Sequence, residues 1–156
     1  MRFTMKNNNS LFYTCSLIEY IGRTLKQERT AVVVALGKDF IIRLYKDADA
    51  LHCEPIEKIA DEIIEMKNMT RGNFDNTSTC HYEVPDYWTI GEVYERLIED
   101  ICSENEEIDF ICETLLAVYT SWISTAISNY NSDFFYQSRQ YIYECWKAGE
   151  VIQEAG

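Results

Sequence analysis

The sequence predicts an all-α fold, and three observations lead to this prediction. Apolar residues recur every three or four positions along most of the 156-residue chain, which is the period of helices with one buried face. The 6 glycines and 2 prolines are too few for a turn-rich β-sandwich or a disordered chain. A hydrophobic content of 47% is ordinary for a globular protein, and an aromatic content of 13% allows a large core. We therefore expect a single compact domain, residues 1–156, of about six helices.

Four of these helices are expected in the first half of the chain. Ser10 suits the N-cap of the first helix and Thr30 that of the second, although the valines at 32–34 make a strand an alternative there. Asp39 opens a short third helix, and Pro55 suits the first position of a fourth. The first helix is predicted to bury Leu11, Cys15, Ile18, Ile21 and Leu25.

Residues 68–88 break the helical period with a run of turn formers that ends near Pro85. Residues 80–84 alternate between apolar and polar side chains, which is typical of one short strand. We expect an irregular loop here, either a functional loop or a packed spacer between two helical layers.

Two capping-box patterns follow this loop. Thr89-x-x-Glu92 predicts the start of a fifth helix, and Ser103-x-x-Glu106 that of the next. The apolar period after Ser103 continues for about 25 residues, which predicts a long central helix.

The last predicted helix is rich in aromatic residues. Asn131 or Ser132 suits its N-cap, and Gly149 marks its end. Tyr136 and Tyr143 lie one position off its buried stripe. Exposed tyrosines beside acidic residues are typical anchors for a protein partner.

The net charge of −12 is confined to the second half of the chain. Residues 1–78 carry 11 Lys+Arg and 11 Asp+Glu, whereas residues 79–156 carry 3 and 15. Such a charge disfavours direct binding to nucleic acid. The acidic stretch, residues 92–113, holds nine Asp or Glu residues and one Arg, and it is either a solvated face that aids solubility or a docking surface for a basic partner. The predicted partner-binding residues are Glu92, Glu95, Glu99, Asp100, Glu106, Asp109, Glu113, Tyr136 and Tyr143.

No catalytic residue, metal site or cofactor is predicted. His52-Cys53 and Cys80-His81 are the only His/Cys pairs, and their spacing does not match a zinc finger. The sequence contains no phosphate loop, no H-E-x-x-H and no nucleophile elbow. The N-terminus lacks the apolar region of a signal peptide, and no apolar run is long enough for a membrane span. We therefore expect a cytoplasmic protein with reduced cysteines.

Residues 11–23 (LFYTCSLIEYIGR), 44–52 (LYKDADALH) and 59–64 (IADEII) resemble uncharacterised small helical proteins of gut Firmicutes. Genes of that group lie near genes for toxins similar to ADP-ribosyltransferases. The resemblance covers mainly residues 11–65, and it implies an antitoxin-like or accessory protein with no assigned catalytic residue.

Our first hypothesis is therefore a non-enzymatic protein-binding module of a bacterial conflict system. A phage-type inhibitor that mimics the charge of nucleic acid, and so blocks a defence nuclease, is the first alternative. An enzyme or metal protein using the Cys/His pairs is the second. Amphipathic helices with spare apolar surface also allow a homodimer.

Overall fold

The computed structural model describes residues 8–153, and this part of the chain contains eight α-helices, one 3-10 helix and no strand. The prediction of an all-α fold is confirmed, but the predicted count of about six helices is wrong. Residues 1–7 and 154–156, including the N-terminal segment considered for a signal peptide, lie outside the described residues. The helices are α1 (Asn9–Leu25), α2 (Arg29–Leu36), α3 (Lys38–Leu51), α4 (Ile56–Met66), α5 (Tyr87–Cys102), α6 (Ile108–Tyr119), α7 (Trp122–Ser128) and α8 (Arg139–Ala148), with the 3-10 helix at Phe134–Tyr136.

Helix α1 is the centre of the fold, because it packs against α2, α3, α4 and α5. Its predicted apolar stripe is buried, but so are polar residues on its other faces, including Ser16 and Glu19. Helix α5 runs antiparallel along α1. The backbone N–H of Asn8 donates to Glu99 Oε2 at 3.2 Å near one end of the pair, and the rings of Tyr20 and Tyr87 meet 5.1 Å apart near the other.

The long central helix predicted after Ser103 does not exist. Ser103 lies at the end of α5 with a φ of 57°, and α6 begins only at Ile108. The chain then bends by 68° between α6 and α7. Thr120 and Ser121 cause this break: their hydroxyls donate to the carbonyls of the preceding turn, and Ser121 Oγ accepts from the N–H of Ile123 at 3.2 Å.

Several predicted helix starts also need correction. Helix α1 is capped by Asn8 rather than Ser10, and α5 by Asp86, whose carboxylate accepts from the N–H of Trp88 at 2.6 Å. Ser138 caps α8, because the residues after Asn131 form the separate 3-10 helix. The predicted end at Gly149 is confirmed by its φ of 79°.

The valines at 32–34 are helical, so the alternative of a strand is wrong there. The strand proposed for residues 80–84 is also absent. Residues 67–86 instead form a loop packed against the end of α1. The N–H groups of Gly72 and Phe74 donate to the carbonyls of Leu25 and Lys26, each at 2.8 Å. The first part of the loop is therefore packed against the end of α1.

No single helix among residues 8–153 is both long enough and apolar enough to cross a membrane. The α6–α7 pair meets those criteria only when the two helices are counted together across their bend. The apolar residues of this pair are largely buried in the core.

Candidate functional site

The predicted partner-binding residues do not form one surface. Glu95 and Glu99 are buried, with only 5% and 7% of their surface exposed. Glu92 and Glu113 are exposed but already ion-paired, to Arg96 at 3.4 Å and to Lys38 at 2.6 Å respectively. The continuous acidic helix face expected from their spacing is therefore interrupted.

Glu99 and Asp100 join helices rather than face a partner. Arg139 of α8 donates through Nε to both carboxylate oxygens of Asp100, at 3.0 and 3.1 Å. Its Nη2 donates to Glu99 Oε1 at 3.2 Å, while Glu99 Oε2 accepts from Asn8 beside α1. These two acids thus tie α5 to α8 and to the start of α1.

Glu95 is an unusual buried carboxyl. Its Oε2 has no hydrogen-bond partner among the described residues. Burial, followed by a hydrogen bond and charge repulsion with Glu99, raises the pKa of Glu95 to about 9. The raised pKa favours the neutral acid, and burial keeps this carboxyl out of the predicted acidic face.

We expect Glu95→Gln to raise the free energy of unfolding by about 1–3 kcal/mol at pH 8 and to change it little at pH 4. The pKa of Glu95 is higher in the folded than in the unfolded chain, so this group's contribution to stability is complete below pH 4.5 and is lost as the pH rises toward 9. Glutamine has the shape of the neutral acid and does not ionise. Urea unfolding at pH 4, 6 and 8 measures the difference, with exposed Glu92→Gln as the control. A difference independent of pH would contradict a raised pKa.

Four further exposed acids of this stretch follow α5 and end in the first turn of α6. We call them the acidic turn: Glu104, Glu106, Glu107 and Asp109, all exposed. Glu106 also lines a cavity of about 200 Å³ near Asn8 and Cys102. The acidic turn therefore retains the predicted Glu106 and Asp109 as surface charges.

Tyr136 and Tyr143 differ in their surroundings. Tyr136 is 83% exposed. Tyr143 is half-buried, and the Lys147 ammonium lies 4.7 Å from the centre of its ring. Only Tyr136 therefore presents a whole ring to a partner.

Tyr136 lines a groove of about 510 Å³ between the 67–86 loop and the 3-10 helix. Tyr82, 69% exposed, lines the same groove from the loop. Phe135 is half-buried and meets the Tyr130 ring edge-on at 5.8 Å. We call this feature the tyrosine groove, and its lining residues are Tyr82, Glu83, Tyr130, Asn131, Ser132, Asp133, Phe135 and Tyr136.

The two walls of the tyrosine groove are held together by Asn131. Its Oδ1 accepts from the N–H of His81 at 2.7 Å, and its Nδ2 donates to the carbonyl of Thr79 at 3.2 Å. Sequence reasoning missed Tyr82, because residues 80–84 were interpreted as a strand. The one feature of the sequence that could have indicated an exposed Tyr82 is its position, as an aromatic residue, within a run of turn formers.

Tyr130 connects the groove to a buried ionic network. Its hydroxyl donates to the carboxylate of Glu19, which also accepts from Arg29 Nε and Nη2 and from Arg23 Nε, each at 2.9 Å. Burial opposes ionisation of Glu19, but the two guanidinium groups outweigh it and lower its pKa to about 2. Sequence reasoning missed this network, since charged residues within a helical pattern are usually exposed.

Arg29 also borders a second cavity of about 510 Å³ beneath the 67–86 loop. Its Nη2 donates to Asn76 Oδ1 at 3.3 Å, and Asn76 Nδ2 donates to the carbonyl of Ser128 at 2.9 Å. These polar groups bond to one another, so they attach the loop to α2 and α7.

The His/Cys pairs form no recognisable reactive centre. His52 and Cys53 are exposed after α3, and the Cys80 thiol contacts the carbonyls of Tyr82 and Tyr130 at 3.3 and 3.7 Å. Within residues 8–153, no group of three or more His, Cys, Asp or Glu side chains is placed to hold a metal ion. All six cysteines are free thiols, and four of them are buried.

No family model, curated protein or solved structure matches this chain.

Proposed function

We propose that this protein is a non-enzymatic protein-binding module, antitoxin-like or accessory in a bacterial conflict system. The tyrosine groove carries the proposal, because it exposes Tyr82 and Tyr136 on walls tied together by Asn131. Tyrosine is enriched among the residues that dominate binding energy at protein interfaces. The resemblance of residues 11–65 to proteins encoded near toxin genes supports the biological context.

The proposed partner is a basic protein. The net charge of −12, together with the acidic turn, attracts such a partner over several ångströms and speeds its association. The same charge disfavours direct binding to nucleic acid. We propose that binding takes place in the cytoplasm, where the six free thiols stay reduced.

Tyr82→Ala combined with Tyr136→Ala is expected to weaken partner binding at least about tenfold, since each truncated anchor at an interface centre is typically worth more than 1 kcal/mol. The matched control is Val34→Ala with Met66→Ala, which truncates two exposed apolar side chains on α2 and α4. Tagged wild type, groove variant and control are used to capture proteins from cells of the native host. Bound proteins are then eluted over a salt gradient and quantified by mass spectrometry.

A partner retained by wild type and control but lost by the groove variant supports the proposal. Capture of the same proteins in equal amounts by all three would contradict it, and so would the absence of any bound protein.

The exposed acidic turn favours a second candidate, an inhibitor that mimics nucleic-acid charge. A charge mimic loses affinity steeply as the salt concentration rises. The affinity of a partner held by the tyrosine groove is much less sensitive to the salt concentration. Elution of a nuclease at moderate salt, unaffected by the loss of Tyr82 and Tyr136, would favour this second candidate.

A further inference from the structure

We infer that the tyrosine groove accepts an arginine side chain from the partner protein; this inference rests on the proposed function. The groove combines two features that suit a guanidinium group. Tyr82 and Tyr136 offer exposed aromatic rings, and Phe135 adds a half-buried third ring. A planar cation is attracted to the face of such rings.

The charge of the groove is the second feature. Glu83 and Asp133 are exposed carboxylates among its lining residues, and none of those residues is Lys or Arg. Neither carboxylate has an ion pair within residues 8–153. By contrast, Glu92, Asp100 and Glu113 are each paired with a basic residue of the same chain. The groove therefore carries two carboxylates that no basic side chain of residues 8–153 neutralises through an ion pair.

Three other polar side chains of the groove are already engaged. Asn131 uses its side-chain oxygen and nitrogen to join the two walls, and the Tyr130 hydroxyl donates to Glu19. The Ser132 hydroxyl accepts from the N–H of Phe134 at 3.1 Å. The carboxylates of Glu83 and Asp133 are thus the charged acceptors of the groove that stay open to a ligand.

These properties favour arginine over lysine. Guanidinium stacks on aromatic rings and donates a fork of N–H groups to carboxylates, whereas the ammonium of lysine is a compact and more strongly hydrated charge. Arginine also donates two parallel hydrogen bonds to one carboxylate.

A blocked peptide, acetyl-Gly-Arg-Gly-Arg-Gly-amide, is a suitable probe, with the same peptide carrying citrulline in place of arginine as its neutral counterpart. We expect the arginine peptide to cause saturable NMR shifts of Tyr82, Phe135 and Tyr136, and the citrulline peptide to cause none. Glu83→Gln with Asp133→Asn should weaken binding about tenfold, the effect of losing 1.4 kcal/mol. Asp47→Asn with Asp49→Asn removes two exposed carboxylates of α3 and should leave the affinity within about twofold.

Equal shifts with the citrulline peptide would overturn the inference. So would equal weakening by the α3 control, because the peptide would then respond only to overall charge. If a captured partner depends on the two tyrosines but not on Glu83 and Asp133, protein binding stands and the arginine inference fails. If the arginine peptide binds but no protein is captured, the affinity of the groove for arginine stands, whereas the proposed function and the arginine of a partner protein fail.

Discussion

Replacing Arg29 with alanine is expected to lower the free energy of unfolding by about 3–5 kcal/mol, the usual effect of breaking a buried ion pair from one side. Glu19 is completely buried, and the substitution removes two of its hydrogen bonds and one of the two guanidinium groups that contact it. Arg23 and the Tyr130 hydroxyl remain, but they hold the carboxylate from one side only. Urea unfolding followed by circular dichroism measures the loss.

The loss should depend on pH in a defined direction. Glu19 has a pKa of about 2 in the folded protein, lower than in the unfolded chain, so its carboxylate stabilises the fold above pH 4.5. That contribution is lost as the pH falls toward 2. The difference between wild type and Arg29→Ala should therefore be largest above pH 4.5 and shrink at lower pH.

Two controls show whether the effect comes from the buried charge. Glu19→Gln combined with Arg29→Met leaves no buried charge and should recover part of the stability lost in Arg29→Ala. Lys58→Ala breaks an exposed ion pair with Glu54 and should cause no measurable change. An effect of Arg29→Ala as small as that of Lys58→Ala would show that the network does not hold the fold together.

Gly91→Ala is expected to lower the free energy of unfolding by about 1–3 kcal/mol, the range for overpacking a close contact. In an exposed helix the same change stabilises by about 1 kcal/mol, because glycine is a poor helix former. Here an added Cβ would lie 2.9 Å from both the Cα and the backbone N of Ser16 on α1. Backbone atoms cannot rotate away, so α1 and α5 have to separate along their contact.

Thr89→Ala, at an exposed position of the same helix, is the control for helix propensity and should leave stability unchanged or slightly higher. Thermal unfolding of both variants measures the difference. A Gly91→Ala variant more stable than wild type would show that α1 and α5 do not need this close approach.

The helical regions were predictable because their signal is local. The predicted stripe of α1, from Leu11 to Leu25, is buried as expected, and Gly149 ends α8 in the left-handed conformation. Helix ends were less predictable, because several residues within one turn can serve as a cap. Asp86 caps α5 three residues before the expected Thr89. The hydroxyls of Thr120 and Ser121 interrupt the helix at a point where the apolar period of the sequence continues.

The candidate site was predictable only in part. Tyr136 was singled out because it lies off the apolar stripe, and it is exposed. Glu95 and Glu99 were singled out because they lie in the acidic stretch of residues 92–113, yet both are buried. Helical spacing places two carboxylates on one face but does not reveal which helix covers that face.

The sequence by itself determined that this protein is helical, that its second half carries the negative charge and where a long loop interrupts the helices. These properties depend on composition and on residues within a few positions of one another. Only the tertiary structure decided which charges are buried and which aromatic rings share a groove. Glu19 meets Tyr130, which is 111 positions away, and His81 meets Asn131 across 50 positions. Such pairings arise from the packing of whole helices, because burial stabilises the fold only when distant segments exclude water together.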